Sequence, residues 1–171
     1  TYEYSDMAFD GLVGSLTSGR CDMICSAMSA TEEREEVVDF TNGYFSEVIC
    51  LVSGKDSGIL SLDQLEGKSL GASAGTMFQP LAESLAEKYN GKAQIYDGSV
   101  GAISIVGTSQ LDVMVENSTY AENYAEPRDL TVAILPYDVL DPVYCTPYAI
   151  AFPDGSEYPP IFNEALAEMQ E

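Results

Sequence analysis

The chain has 171 residues, enough to bury a core as one domain or as two small lobes, and its 46% hydrophobic content with scattered charge is that of a globular protein. It carries 28 acidic residues against 7 basic ones, a net charge of −21, which excludes the basic face that nucleic acid requires and opposes binding to anionic membrane surfaces. No apolar run is long enough to span a bilayer, and no basic, apolar, small-residue leader opens the sequence, so an exported form would carry its signal outside these residues.

In chain order, Phe9, Leu12, Val13 and Leu16 fall on one helical face, which Gly19 closes. The apolar run 21–26 predicts a buried strand. Cys21 and Cys25 then lie on one side of it, roughly 13 Å apart at the rise of a strand. That is too far for a disulfide, and no His exists to help build a zinc site, so buried cysteines acting as small hydrophobes are expected. Residues 26–34 read as a strand-to-helix turn. Ser29-x-x-Glu32 fits a capping box, Thr31 is an equally good N-cap, and a helix is expected over 32–38. Backbone N–H groups at such a mouth attract anions. Arg34 opposes the helix dipole there. On spacing alone it only offsets Glu32, Glu33, Glu35 and Glu36, yet its planar fork is also suited to gripping a carboxylate at two points.

Residues 44–52 predict a second strand, and 53–58 a polar, flexible junction that marks a lobe boundary. Beyond it strand and helix alternate. A strand is expected at 69–73 and a helix at 77–89, with Pro80 in its first turn and Asn90-Gly91 as its stop. A strand at 93–96, a helix at 100–106 ended by Gly107 and a strand at 111–116 follow. A short helix at 118–125 stops before Pro127, and a strand covers 130–135. Such alternation implies a parallel sheet with helices on both faces. A strand at 144–152 returns the chain to the first lobe, and 160–170 is an amphipathic helix. Cys50 and Cys145 sit on separate apolar strands, which sequence alone does not pair.

Ser26-x-Met28-Ser29-Ala30-Thr31-x-Glu33-Arg34, followed by Val38-Asp39-Phe40-Thr41 and Gly43-Tyr44-Phe45, resembles the solute-binding proteins of ABC transporters, within them the family that binds polar amino acids. The likeness continues through Phe9-Asp10-Gly11-Leu12, Leu62-x-x-Leu65-x-Gly67-Lys68, Gly71-x-x-x-Gly75-Thr76 and Leu111-Asp112-Val113, in the family's order over nearly the whole chain. The resemblance implies an α/β protein with the type II periplasmic-binding-protein fold: two lobes, each a mostly parallel sheet flanked by helices, with a small ligand in the cleft between them. The first lobe would take 1–53 plus 145–171, and the second 54–144.

The family's pattern places ligand contacts on the ring of Phe9, the backbone acceptor of Ala27, the backbone and hydroxyl of Ser29 and the carboxylate clamp of Arg34. In the second lobe it places them on the loop Ser73-Ala74-Gly75-Thr76-Met77, with Ser73, Gly75, Thr76 and the Met77 N–H facing a ligand carboxylate. By themselves these residues also read as a core phenylalanine, an N-cap and a tight strand–helix turn. The loop is not a nucleotide loop, since it lacks the Lys and the glycine spacing of those motifs. One position departs from the pattern. Where the amino-acid binders carry an aspartate for the ligand ammonium, this chain has Asn117, preceded by Glu116. Asparagine is neutral and both donates and accepts. Either another acid serves the ammonium, or the ligand is a carboxylate- or amide-bearing metabolite, or Asn117 simply caps the following helix.

The resemblance implies an extracytoplasmic, periplasmic or cell-surface protein, with lipid anchoring as one way of holding it there, that closes on a small polar ligand and presents it to a transporter permease. The same lobe pair also serves as the input domain of membrane receptors. A dehydratase acting on cyclohexadienyl substrates has this fold too, and Glu116 is the one acid here that could play its catalytic role. With no His, no nucleophile–base set and no metal-ligand cluster, an enzyme is the least expected of the three, and neither metal nor cofactor is expected. Family members also open with a strand, a helix and a further strand ahead of the segment matching Phe9-Asp10-Gly11. Here only Thr1-Tyr2-Glu3-Tyr4-Ser5 precedes it. The first lobe is therefore expected to be truncated, the second lobe to be the better formed, and the gap to be filled by a second copy or a segment outside this chain.

Overall fold

A computed structural model describes residues 3–169. The chain divides into two compact units, the first holding the residues up to Ser46 and those from Cys145 on, the second Glu47–Tyr144.

The first unit is built from α1 (Leu12–Thr17), β1 (Ile24–Ser29), α2 (Glu32–Glu35), β2 (Val38–Phe40), β8 (Tyr148–Pro153) and α6 (Tyr158–Met169). Its sheet has the order β1-β8-β2, and both pairings are antiparallel. The helical face read from the sequence lands where the period requires: Leu16 is buried with Ile24, Met28, Val38 and Ala151, and Phe9, Leu12 and Val13 pack against that cluster. Ring contacts tie α6 down, with Phe162 meeting Phe152 edge-on at 4.9 Å between centroids, and Asn163 Oδ1 accepts the Asn42 N–H at 2.7 Å.

Several local expectations for this unit fail for identifiable reasons. β1 begins and ends three residues later than expected and contains a bulge. Ile24 faces Ala151 while Met28 faces Ala149, so four steps on β1 match two on β8. Ala27 takes up the excess at φ 48°. The bulge turns Cys25 outward, so Cys25 is exposed rather than buried, and Cys21 lies ahead of the strand. The helix after the turn spans only four residues, because three glutamates and Arg34 in one turn provide no apolar stripe to bury; the β-branched Val38 enters strand β2 instead. Between 44 and 48 no strand forms; Phe45 makes an isolated bridge to Tyr148, and the Val48 carbonyl accepts the Ser118 N–H at 2.8 Å. Residues 3–5 form no strand; Thr1 and Tyr2 lie outside the described residues, as does the expected helix end at Gln170.

The second unit holds β3 (Ile49–Gly54), β4 (Ser69–Ser73), α3 (Phe78–Lys88), β5 (Lys92–Tyr96), α4 (Ser99–Ile103), β6 (Val113–Asn117), α5 (Ser118–Ala125) and β7 (Leu130–Ile134). Its five strands run in the order β5-β4-β6-β3-β7. β4 is parallel to β5 and β6, whereas β3 is antiparallel to β6 and β7. The two-lobed α/β architecture thus stands, but the mostly parallel sheets do not. Only the helix-connected strands of the second unit are parallel, and the first unit's sheet is antiparallel throughout its described residues. The lobe boundary also moves. Ile49–Gly54 pairs on both edges inside the second sheet, so the first unit ends before it rather than at residue 53. Likewise residues 142–145 form a 3₁₀ turn, and the returning strand starts only at Tyr148.

Helix α3 buries Phe78, Leu81, Ala82, Leu85 and Ala86, the i, i+3, i+4, i+7, i+8 stripe of an amphipathic helix. Cys50, Val52, Ile103, Val106, Leu111 and Met114 form a core on this unit's sheet. No disulfide joins the cysteines of the described residues. The Cys50 thiol donates to the Glu116 carbonyl at 3.3 Å, and burial, with the charge of Glu116, drives its pKa far up. Among the described residues no helix is long and apolar enough to cross a membrane.

Asp112 ties the start of β4 to the approach of β6. Its carboxylate accepts the Ser69 N–H at 2.8 Å and the Ser69 hydroxyl at 2.7 Å. Burial pushes its pKa up, but the two Ser69 bonds and Lys68 outweigh that and hold it below the ordinary value. A depressed carboxylate adds stability that is present above the unfolded pKa, near 4, and is lost as pH falls through the folded value. Asp112→Asn is therefore expected to melt lower than the parent at pH 7 and to lose less on acidification below about pH 4. Melts in which both proteins show the same acid limb would disprove this role.

Candidate functional site

In the first unit three of the four expected residues meet. Arg34 Nη1 donates to the Ser29 carbonyl at 2.7 Å, and its guanidinium carbon lies 5.7 Å from the Phe9 ring centroid. A planar cation over an aromatic face is held both electrostatically and by stacking. Burial lowers the Arg34 pKa and the charge of Glu33 raises it in part; a guanidinium stays cationic regardless. Ala27, the fourth residue, sits at the bulge of the same strand, exposed and in the left-handed region. The capping box read at Ser29 and Glu32 is not what forms. Ser29 is 3% exposed and belongs to β1, while Thr31 takes the N-cap position without a side-chain cap bond. A capping box forms instead at Ser61 and Gln64. β1 keeps pairing to β8 through the motif, which places Ser29 as an anchor for Arg34 rather than a helix cap.

In the second unit the expected residues gather past the carboxyl ends of the parallel neighbours β4 and β6, where open α/β sheets take ligands. The Ser73 hydroxyl lies 2.6 Å from that of Ser99, and Ser99 donates in turn to Glu116 Oε2. Glu116 Oε1 accepts the Asn117 main-chain N–H at 2.9 Å and Asn117 Nδ2 at 3.1 Å. Asn117 Oδ1 accepts the Tyr120 N–H at 2.6 Å, so Asn117 does cap α5. Burial raises the Glu116 pKa, against the lowering effect of the bonds from Ser99 and Asn117. The loop after β4 is braced by its own bonds. Thr76 Oγ1 donates to the Ser73 carbonyl at 2.7 Å, and the Gly75 N–H donates to Gln79 Oε1 at 3.1 Å, with Gly75 at φ 70°. Met77 buries its side chain in the core beside Phe78. Its backbone alone bears on the loop.

Ser99 was not legible as a site residue. The Asp97-Gly98-Ser99 run is a helix-start signal, and the helix does begin at Ser99 after an extended Gly98. That signal explains a helix, however, and not a hydroxyl bridging Ser73 to Glu116.

Over its full length, residues 1–171, the sequence matches the family model of bacterial extracellular solute-binding proteins, family 3. The chain belongs to this family. It is 31% identical over 170 residues to the arginine-binding extracellular protein ArtP of Bacillus subtilis, covering 99% of this chain and 66% of that protein. The chain thus spans just under two thirds of that relative's length. Among solved structures, an ancestral arginine-binding protein bound to arginine superposes with a TM-score of 0.84 at 28% identity, over 98% of this chain and 74% of the other. An ancestral amino acid-binding protein described as a precursor of cyclohexadienyl dehydratase superposes at 0.83 with 25% identity, over 98% and 71%. The α/β, two-unit fold of this solute-binding family member is therefore the fold of type II periplasmic binding proteins.

Proposed function

We propose that this family member captures a small polar, carboxylate-bearing ligand, an amino acid or a close relative, outside the cytoplasm and delivers it to an ABC transporter permease. The observation that carries the reading is the held cation of the first unit. Arg34 is fixed at one end by the Ser29 carbonyl and on one face by Phe9, so its fork is oriented before any ligand arrives. Such preorganisation lowers the entropy cost of a bidentate carboxylate contact. The family's description as extracellular, and the arginine named for its relatives, support the compartment and the ligand class. We read the chain as a binder rather than a catalyst. Glu116, the one acid placed to do dehydratase chemistry, is 2% exposed and carries bonds on both oxygens. A second copy of the chain is a further proposed partner, supported by the exposed Met23, Val37, Tyr158 and Ile161 of the first unit.

The test is a thermal-shift screen over the standard amino acids and small carboxylates. A ligand at about 100 times its dissociation constant should stabilise by roughly 2.7 kcal/mol, a rise of about 5–10 °C for a chain of this size. A screen with no shift from any of them would sink the reading.

A further inference from the structure

Glu116 is the only carboxylate buried among the described residues, and the proposed capture of a ligand does not use it directly. Its surroundings give it a different task. Oε1 is taken by the two N–H groups of Asn117, and Oε2 by the Ser99 hydroxyl. The Asn117 amide cannot be turned round, because its other end faces the Tyr120 main-chain N–H at 2.6 Å, a donor that tolerates only an oxygen there. The carbonyl end of Asn117 is thus committed to the cap of α5, and one amide hydrogen to Glu116. One N–H is left over, and it has no partner among the described residues. The carbonyl keeps a second lone pair but no charge, and a desolvated ammonium without a carboxylate is expensive.

We infer that Glu116 is a positioning residue that presents Asn117 as a hydrogen-bond donor, so that the second unit takes an oxygen acceptor of the ligand (carboxylate, carbonyl or hydroxyl) and not its ammonium. This rests on the ligand-capture reading above. Oε1 can accept from Asn117 whether or not the carboxyl is protonated, so the arrangement does not depend on its charge.

The test is calorimetry on matched pairs that differ only in the α-ammonium: L-arginine with 5-guanidinopentanoate, and L-glutamine with glutaramate. The parent protein should bind the amine-free member of at least one pair within about threefold of the amino acid, or more tightly. Asn117→Asp should shift that ratio by roughly tenfold or more toward the amino acid. Glu116→Leu should weaken the amine-free member about tenfold, and Glu116→Gln, which keeps an acceptor oxygen, should restore it. If Glu116→Leu fails to fold by circular dichroism, the Asn117→Asp arm decides alone. A parent that prefers the amino acid by more than about tenfold, with Asn117→Asp leaving the ratio unchanged, overturns the inference and leaves ligand capture standing. A parent that binds no member of either pair and shows no shift in the screen overturns both. Shifts from small carboxylates alone, with no amino acid bound, agree with the inference.

Discussion

Replacing Arg34 by alanine is expected to abolish ligand capture while leaving the protein folded. Truncating one partner of a desolvated, charge-assisted pair costs about 2–5 kcal/mol, roughly thirtyfold to several thousandfold in affinity. The structural losses are smaller. They include one hydrogen bond to the Ser29 carbonyl and the stacking over Phe9, which together contribute about 1–2 kcal/mol. Arg34→Lys should fall between the two, because it keeps the charge but loses the fork and the flat face. Calorimetry with whichever molecule shifts the parent in the screen, run beside thermal melts, separates binding from folding. An alanine variant that binds as tightly as the parent would show that Arg34 is not the clamp.

The division of labour between sequence and structure is clearest at two places. The helix face of Leu12, Val13 and Leu16, the α3 stripe and the helix stops at Asn90 and Gly19 were legible, because each is a local consequence of period or of backbone sterics. The grouping of Phe9, Ser29 and Arg34 was foreshadowed too, since they lie in motifs whose order is shared with a family, and the three do meet. What was not legible depends on pairing. Nothing in Cys21–Ser29 announces that four residues will match two on a strand more than a hundred positions away, yet that bulge decides that Cys25 is exposed and that Ser29 is buried. The same holds for the direction of β3, which is set by its neighbours β6 and β7 rather than by its own residues. Ser99, with its bond to Glu116, escaped for a related reason: a hydrogen bond between a helix start and a strand end has no signature in either segment. Asn117 is the intermediate case. Its departure from the family pattern was visible in the sequence, but which of its two ends faces outward is fixed only by Tyr120 and Glu116.

Gly107→Ala is expected to be a strongly destabilising single-methyl change in the second unit. Gly107 sits at φ 75° and closes the turn before β6, its N–H donating to the Leu111 carbonyl at 2.8 Å. Two penalties act at once. An L side chain in the left-handed region costs about 1–2 kcal/mol. A Cβ there would also lie 2.7 Å from the Cα of Gly54 and 3.1 Å from its nitrogen. Gly54 is the last residue of β3 and pairs with Leu130 on β7, so the atom being struck is sheet backbone and not a side chain able to swing away. Overpacking of that kind adds about 1–3 kcal/mol, for a total near 2–5 kcal/mol and a fall in melting temperature of about 5–15 °C. Gly58 provides the control within the same unit. It has nearly the same backbone, φ 71°, but a Cβ there meets nothing within 4 Å. Gly58→Ala should therefore cost only the backbone term, and Gly58→Asn less still, because asparagine tolerates the left-handed region. Gly107→Asn should recover part of the backbone term and none of the clash. Urea unfolding of the four variants gives the comparison directly. Equal losses at positions 58 and 107 would mean that the close approach of Gly54 and Gly107 does not hold these two segments together.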